Sequence, residues 1–201
     1  MAGAALAMYV LFALFAFGGR AWLQFRRTGD HGFRGLSGPL LSSAGVGGFL
    51  LFAGGLAALL APLAEPFGRG QIAAASLPAS ARAAGLALMA LGILFTLIAQ
   101  LQMGAAWRVG VDPSETTDLV TTGLFAWVRN PIYAAMLCML VGLLLAVPNL
   151  LAAAALCVVF VGLELHVRAV EEPHLLHHHR ERFQAYARRV GRFVPGIGRI
   201  P

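Results

Sequence analysis

Lysine is absent from these 201 residues, and every Lys-or-Arg position is one of fifteen arginines. Charge of either sign is scarce: 12 % of residues carry it, against 59 % that are hydrophobic. Length alone would allow one or two soluble domains, and this imbalance excludes them. Cysteine is nearly missing too. Cys138 and Cys157 both fall inside apolar runs, where a free thiol packs as a small hydrophobe, so no disulfide framework is expected. There is no His-Glu-x-x-His pattern, and no serine or cysteine sits in a nucleophile signature. The glycine groups Gly18-Gly19, Gly45-Val-Gly-Gly48 and Gly54-Gly55 lack the strand-to-helix context of a phosphate loop. Inside apolar runs they predict close helix packing instead.

Long uncharged runs are what the chain does have. A helix needs roughly twenty apolar residues to cross the hydrocarbon core. Residues 4–19, 39–61, 83–101, 132–147 and 149–163 meet or approach that length, which predicts an all-α integral membrane protein of about five transmembrane helices. The first run has no basic residues before it and reads as a retained span rather than a signal peptide. Helix 1 is expected over Ala4–Leu23, helix 2 from Pro39 to Leu60 with Pro62 and Pro66 stopping it, and helix 3 over Ala81–Gln102. The last two runs form a hairpin turning at Pro148-Asn149. They are short for full crossing, so a re-entrant hairpin competes with two spans. A polar loop over 103–130 precedes this hairpin, and an amphipathic tail follows it. The chain divides into a three-helix membrane region, 1–101, and a core of loop, hairpin and tail, 102–201.

A net charge of +6 and a pI near 10.6 would suggest nucleic acid in a soluble protein. Here the arginines sit between apolar runs, so membrane lipids and topology account for them and no nucleic-acid partner is expected. Thirteen of the fifteen lie in 20–38, in 102–130 or after 167; only Arg69 and Arg82 lie elsewhere. Five spans place those three regions on one face, and the positive-inside rule makes that face cytoplasmic.

Chemistry concentrates in two places on that face. Leu119-Val-Thr-Thr-Gly-Leu-Phe-Ala-Trp-Val-Arg-Asn-Pro-Ile-Tyr133 combines a turn at Gly123, an extended residue before Pro131, and a helix opened by that proline. Its backbone can present open N–H and C=O groups, and Phe125 and Trp127 offer flat faces for a purine. An interfacial aromatic belt is the plainer account of the same residues. The second place is Glu171-Glu172 at the polar end of an apolar helix, where a carboxylate pair attracts a sulfonium or ammonium cation. Arg168, three residues earlier, shares the helical face of Glu171 and can orient an anionic headgroup. His166 reads as polar packing. His174, His177, His178 and His179 have metal-compatible helical spacing but no cysteine partner, so an interfacial basic run is expected and no metal.

These segments resemble the isoprenylcysteine carboxyl methyltransferase family and its phospholipid methyltransferase relatives. The resemblance rests on Leu119-Val-x-x-Gly-x-Phe125, Arg129-Asn-Pro-x-Tyr133, the hairpin, Glu171-Glu172 and Phe183-x-x-Tyr186 with Val190-x-Arg192-Phe-x-Pro195. It covers roughly Gln102 to Pro195. It implies S-adenosylmethionine as cofactor and a lipophilic acceptor reaching the site from the bilayer. The implied cofactor contacts are Thr117, Asp118, Leu119, Val120, Phe125, Asn130, Pro131, Ile132, Tyr133, Glu171 and Glu172, with Tyr133 and Arg168 at the reacting end. Asn130 stands where the family usually has histidine, and Phe125 where tyrosine is common.

Methyl transfer from a sulfonium depends largely on alignment. A carboxylate or thiolate acceptor is already anionic, whereas an amine needs a base that the motifs do not supply; the residues therefore favour an acid or thiol. Two other readings stand beside this one: an NADPH-dependent enzyme like the sterol reductases, which share an Arg-x-Pro-x-Tyr hairpin, and an inactive membrane scaffold. The arginine distribution makes its own prediction. Reporter fusions at Met1 and Pro201 are expected to report an extracytoplasmic N-terminus and a cytoplasmic C-terminus, and a C-terminal reporter active outside the cytoplasm would require an even number of spans.

Overall fold

Every regular element among the described residues is helical, because the apolar runs offer the backbone no partner but itself. The computed structural model describes residues 1–35, 39, 41–67, 77–112 and 115–200. Helix α1 runs from Ala2 to Thr28 and ends at Gly29, whose φ of +77° lets the chain turn away. It contains a π-helical turn at Leu14–Gly19. Helix α2, Ser43–Ala64, starts where the Ser42 hydroxyl accepts the Gly45 N–H at 3.1 Å. The start expected at Pro39 is therefore four residues early. Pro62 does not stop α2 either. It sits in the last turn, and a 3-10 turn at Glu65–Phe67 follows. Helix α3 covers Ala79–Met103, α4 Pro131–Ala146 and α5 Leu150–His166. A second π turn, Val167–Glu171, joins α5 to α6, Glu172–Arg189, without a break. Helix α6 kinks at Arg180, where φ is +41°. Pro113, residues 68–76 of the 62–80 loop with Arg69 among them, and Pro201 lie outside the described residues.

Four elements are long and apolar enough to cross a membrane: α1, α2, α3 and the continuous Leu150–Arg189 rod. The fifth apolar helix, α4, has 16 residues. At 1.5 Å per residue it reaches about 24 Å, less than the roughly 30 Å hydrocarbon core.

Two tight pairs, α3 with α4 and α2 with α5, make up most of the bundle. Lipid tails are as apolar as leucine, so close backbone packing must replace the hydrophobic drive between such helices. Glycine supplies it. A β-carbon on Gly92 would lie 2.6 Å from the Met139 backbone nitrogen, and one on Gly85 would lie 2.6 Å from that of Ala146. On the other pair, Gly54 meets Val159 and Gly47 meets His166 and Gly162. Of the expected packing glycines, Gly47 and Gly54 therefore have this role, whereas Gly18 has no neighbour within 4 Å of such a carbon.

Polar ties close the helix ends. Asn149 caps α5 by accepting the Ala152 N–H at 2.9 Å and donates its amide to the Ala61 carbonyl at 2.7 Å. Arg82 donates to the Ala146 carbonyl at 2.9 Å and pairs with Glu65. At the opposite end, buried Arg20 donates to the Gly104 carbonyl and lies 4.7 Å over the Trp107 ring. Gln100 donates to the Ala16 carbonyl at 2.9 Å.

Gly92→Leu is expected to destabilise the protein by at least about 1–3 kcal/mol, since backbone rather than a movable side chain opposes the new atoms. Thermal unfolding in detergent measures this, with the open position Gly3→Leu expected to leave the transition unchanged.

Candidate active site

The motif loop is shaped by hydrogen bonds at fixed points. Gly123 adopts φ +62°, and the next N–H, of Leu124, donates to the Gln102 side chain at 2.8 Å. The buried Tyr186 hydroxyl donates to the Phe125 carbonyl at 2.6 Å. Further on, the Arg129 and Asn130 N–H groups donate to the Gly191 and Arg192 carbonyls at 2.8 and 3.0 Å. The distant Phe183, Tyr186 and Arg192 of the tail thus hold the loop in place, with Phe183 and Tyr186 packed against Leu119.

Arg129 ties this region together. Its guanidinium, with 3 % of the side chain exposed, donates to the carbonyls of Ala187, Val190 and Gly198 and to Glu172 Oε1 at 2.7 Å. Arg192 donates to both oxygens of Glu172, at 2.9 and 3.0 Å, and this carboxylate raises the Arg192 guanidinium above its ordinary range. Glu172 is thus held by two guanidinium groups.

Its neighbour Glu171 has different partners. The Tyr133 hydroxyl donates to Glu171 Oε1, and His166 Nε2 lies 3.4 Å from the same oxygen. The π turn at Val167–Glu171 sits immediately before this split. A π turn winds five residues to a hydrogen bond rather than four, so helical spacing inferred across it fails.

These groups surround a cavity of about 520 Å³. Thr117, Asp118, Leu119 and Val120 line it from the loop, Phe125 from the 3-10 turn, Asn130, Ile132 and Tyr133 from the start of α4, and Glu171 and Glu172 from the rod. Pro131 is buried as the first residue of α4 but is not in the lining. The far walls are apolar: Tyr9 and Phe12 of α1, Leu51 and Phe52 of α2, Met136 and Met139 of α4, Val159 and Leu163 of α5. The roof over the polar end comes from Gly35 and residues 106–111. Arg34 bridges Asp30 and Glu115 beside it, and Arg108 also pairs with Glu115. Hydrogen bonding to Arg34 holds the Asp30 carboxyl below the usual carboxylate range.

Two expectations need correction. Arg168 is outside the cavity lining: its side chain is 62 % exposed and donates to Glu164 at 2.5 Å. The shared face with Glu171 assumed a regular helix, and the π turn between them removes it. Trp127 is 71 % exposed and outside the lining, so a flat aromatic face comes instead from Trp107, buried at 2 %. His166 is buried, as a packing residue would be, and it also lines the cavity. The sequence carried little signal for these last two, because Trp107 lies before the motif and His166 within an apolar run. Among the described residues, no group of three or more His, Cys, Asp and Glu is arranged to hold a metal. His179 donates to the Thr117 carbonyl at 2.8 Å and His178 lies 3.0 Å from the Thr116 hydroxyl. That end of the histidine run therefore fastens α6 to the motif loop.

A family model described as phospholipid methyltransferase matches residues 80–182, which include α3, the motif loop, the hairpin and both carboxylates. No curated protein matches the chain.

Glu172→Gln is expected to destabilise the fold, because two guanidinium groups lose their counter-charge. Removing one partner of a buried pair typically costs about 3–5 kcal/mol. Its unfolding temperature should fall well below that of Arg168→Ala, whose ion pair is exposed and worth about 0–1 kcal/mol.

Proposed function

The chain belongs to the phospholipid methyltransferase family, and on that premise we propose that it is a membrane-embedded, S-adenosylmethionine-dependent methyltransferase acting on a lipophilic acceptor. One observation carries this reading: a single cavity has carboxylates and a polar loop at one end and side chains of apolar helices at the other. A polar cofactor suits the first end and an aliphatic chain the second.

S-adenosylmethionine supplies an electrophilic methyl group on a sulfonium. Glu171 gives the polar end a negative charge suited to that cation, and the Tyr133 hydroxyl, donating to Glu171, fixes the carboxylate's orientation. Phe125 and Trp107 provide flat apolar faces for the adenine. Thr117, Asp118, Leu119, Val120, Asn130 and Ile132 contribute the remaining contacts, with Pro131 setting the start of α4 and Glu172 anchoring the wall. Asn130 can donate and accept hydrogen bonds where the family usually has histidine. Tyr133 then stands near the reacting end. Arg168, directed at Glu164, is left as an outer charge that attracts an anionic headgroup before the acceptor is seated. The acceptor ends in a carboxylate or a thiol.

In this reading α4 completes five spans despite its length, the N-terminus is extracytoplasmic, and the tail and the polar end of the cavity are cytoplasmic. Residues 102–201 form the methyltransferase core, and 1–101 a membrane region whose α1 and α2 wall the acceptor. Nothing in the site favours the reductase or the scaffold.

Titration calorimetry of the detergent-solubilised protein should register S-adenosylmethionine and not NADPH. Glu171→Gln is expected to weaken cofactor binding by about 1.5–3 kcal/mol, roughly ten- to a hundredfold, with thermal unfolding nearly unchanged. Binding of NADPH alone would reinstate the reductase, and binding of neither the scaffold.

A further inference from the structure

The apolar arm of the cavity ends at one depth on all four helices that wall it. Helix α5 lines it from His166 to Val159 and α1 from Phe17 to Tyr9, while α2 and α4 leave it at Gly55 and Leu140. About one turn further along, each of these helices carries a fully buried residue: Ala155, Ala5, Ala58 and Leu143. All four belong to the packed core, and none of them lines the cavity. At the floor, the Tyr9 hydroxyl donates to the Gly55 carbonyl at 2.8 Å. A phenol taken out of water needs such a partner, and here the side chain reaches from α1 to α2 across the end of the arm. Gly55 suits the crossing, since even a β-carbon there would lie 3.5 Å from the hydroxyl oxygen.

The wall above that floor is aromatic. The Phe12 ring lies 6.2 Å from that of Tyr9 and edge-on to that of Phe17 at 5.9 Å. Residues five apart fall on different faces of a regular helix. The π turn at Leu14–Gly19 winds five residues to a hydrogen bond and so brings Phe17 round to Phe12. This irregular stretch of α1 lies outside residues 80–182, which the family model matches.

We propose that Tyr9 sets the length of the acceptor: its bridge to Gly55 is the stop of a socket for a single alkyl chain of about eight to ten carbons. The inference rests on the methyltransferase reading and deepens it by giving the acceptor a size. The eight residue steps from Phe17 to Tyr9 rise about 12 Å, and the seven from His166 to Val159 about 10.5 Å. Bonds of about 1.5 Å at about 111° advance an extended chain by about 1.25 Å per carbon, which gives that length. A cavity of about 520 Å³ is a site for one drug-sized ligand. Shared with the cofactor, it leaves room for one short chain and not for a two-chain lipid. A longer chain meets Tyr9 before its reacting end is seated beside Tyr133.

The test uses the full chain in lipid nanodiscs, with straight-chain thiols and carboxylates from hexyl to hexadecyl as acceptors. For the wild-type protein, kcat/KM is expected to rise about fourfold with each carbon up to decyl, the equivalent of about 0.8 kcal/mol per methylene. By tetradecyl it should have fallen at least about tenfold, as overpacking takes over. Tyr9→Ala is expected to move the maximum to chains about two or more carbons longer. Met136→Trp, which fills the arm from the α4 wall, should move it to shorter ones. S-adenosylmethionine affinity should stay within a fewfold of wild type in both, whereas a merely structural role for Tyr9 would change the rates and leave the maximum in place. Alkanoates with a photoreactive diazirine at the chain end give a readout that needs no transfer: the decyl probe should crosslink to the peptides holding Tyr9 and Gly55. A wild-type profile still rising at hexadecyl, a maximum unmoved in both variants, or crosslinks spread over lipid-facing residues would overturn the inference. If the wild-type protein binds no S-adenosylmethionine, or transfers to neither series, the methyltransferase reading or its acceptor chemistry fails, and the crosslinks still decide whether the arm ends at Tyr9.

Discussion

One buried guanidinium holds the polar end of this molecule together. Arg129 reaches the last turn of α6, the residue after it, the C-terminal tail and Glu172 at once. Their carbonyls converge on one planar fork of several N–H donors. Glu172 supplies the counter-charge that makes burying the cation tolerable. With that tie in place, the loop from Thr117 to Asn130 is fixed against α6 and a cavity can exist beneath it.

The two adjacent glutamates are usable because the backbone between the apolar helix and the tail is not a regular helix. The π turn at Val167–Glu171 stands where the bundle ends and the loop begins. Glu172 belongs to the Arg129 network and Glu171 to the group of Tyr133 and His166. One carboxylate secures the wall, and the other faces Tyr133 and His166 at the cavity. Arg168, within the same turn, pairs with Glu164 outside the cavity lining.

The rest of the cavity depends on close packing elsewhere. Glycines bring α3 against α4 and α2 against α5 at backbone distance, while α1, α2, α4 and α5 remain far enough apart to leave an apolar space between Tyr9, Phe52, Met139 and Val159. Trp107, with the Arg20 guanidinium over its ring, lines the same cavity.

The sequence by itself determined the solvent, the helices and the family. Apolar runs of membrane length leave the backbone only helix, and Gly123, Pro131 and Asn149 occupy the turn and caps their chemistry suits. Thr117, Asp118, Leu119, Val120, Phe125, Asn130, Ile132, Tyr133 and both glutamates were legible as cavity residues because motif spacing is local. Only the tertiary structure decided which carboxylate is anchored and which is open, that Arg168 faces outward, and that Trp107 and His166 belong to the cavity. Those outcomes turn on a π turn and on contacts between residues far apart in the chain, and a regular helical period drawn along the sequence contains neither.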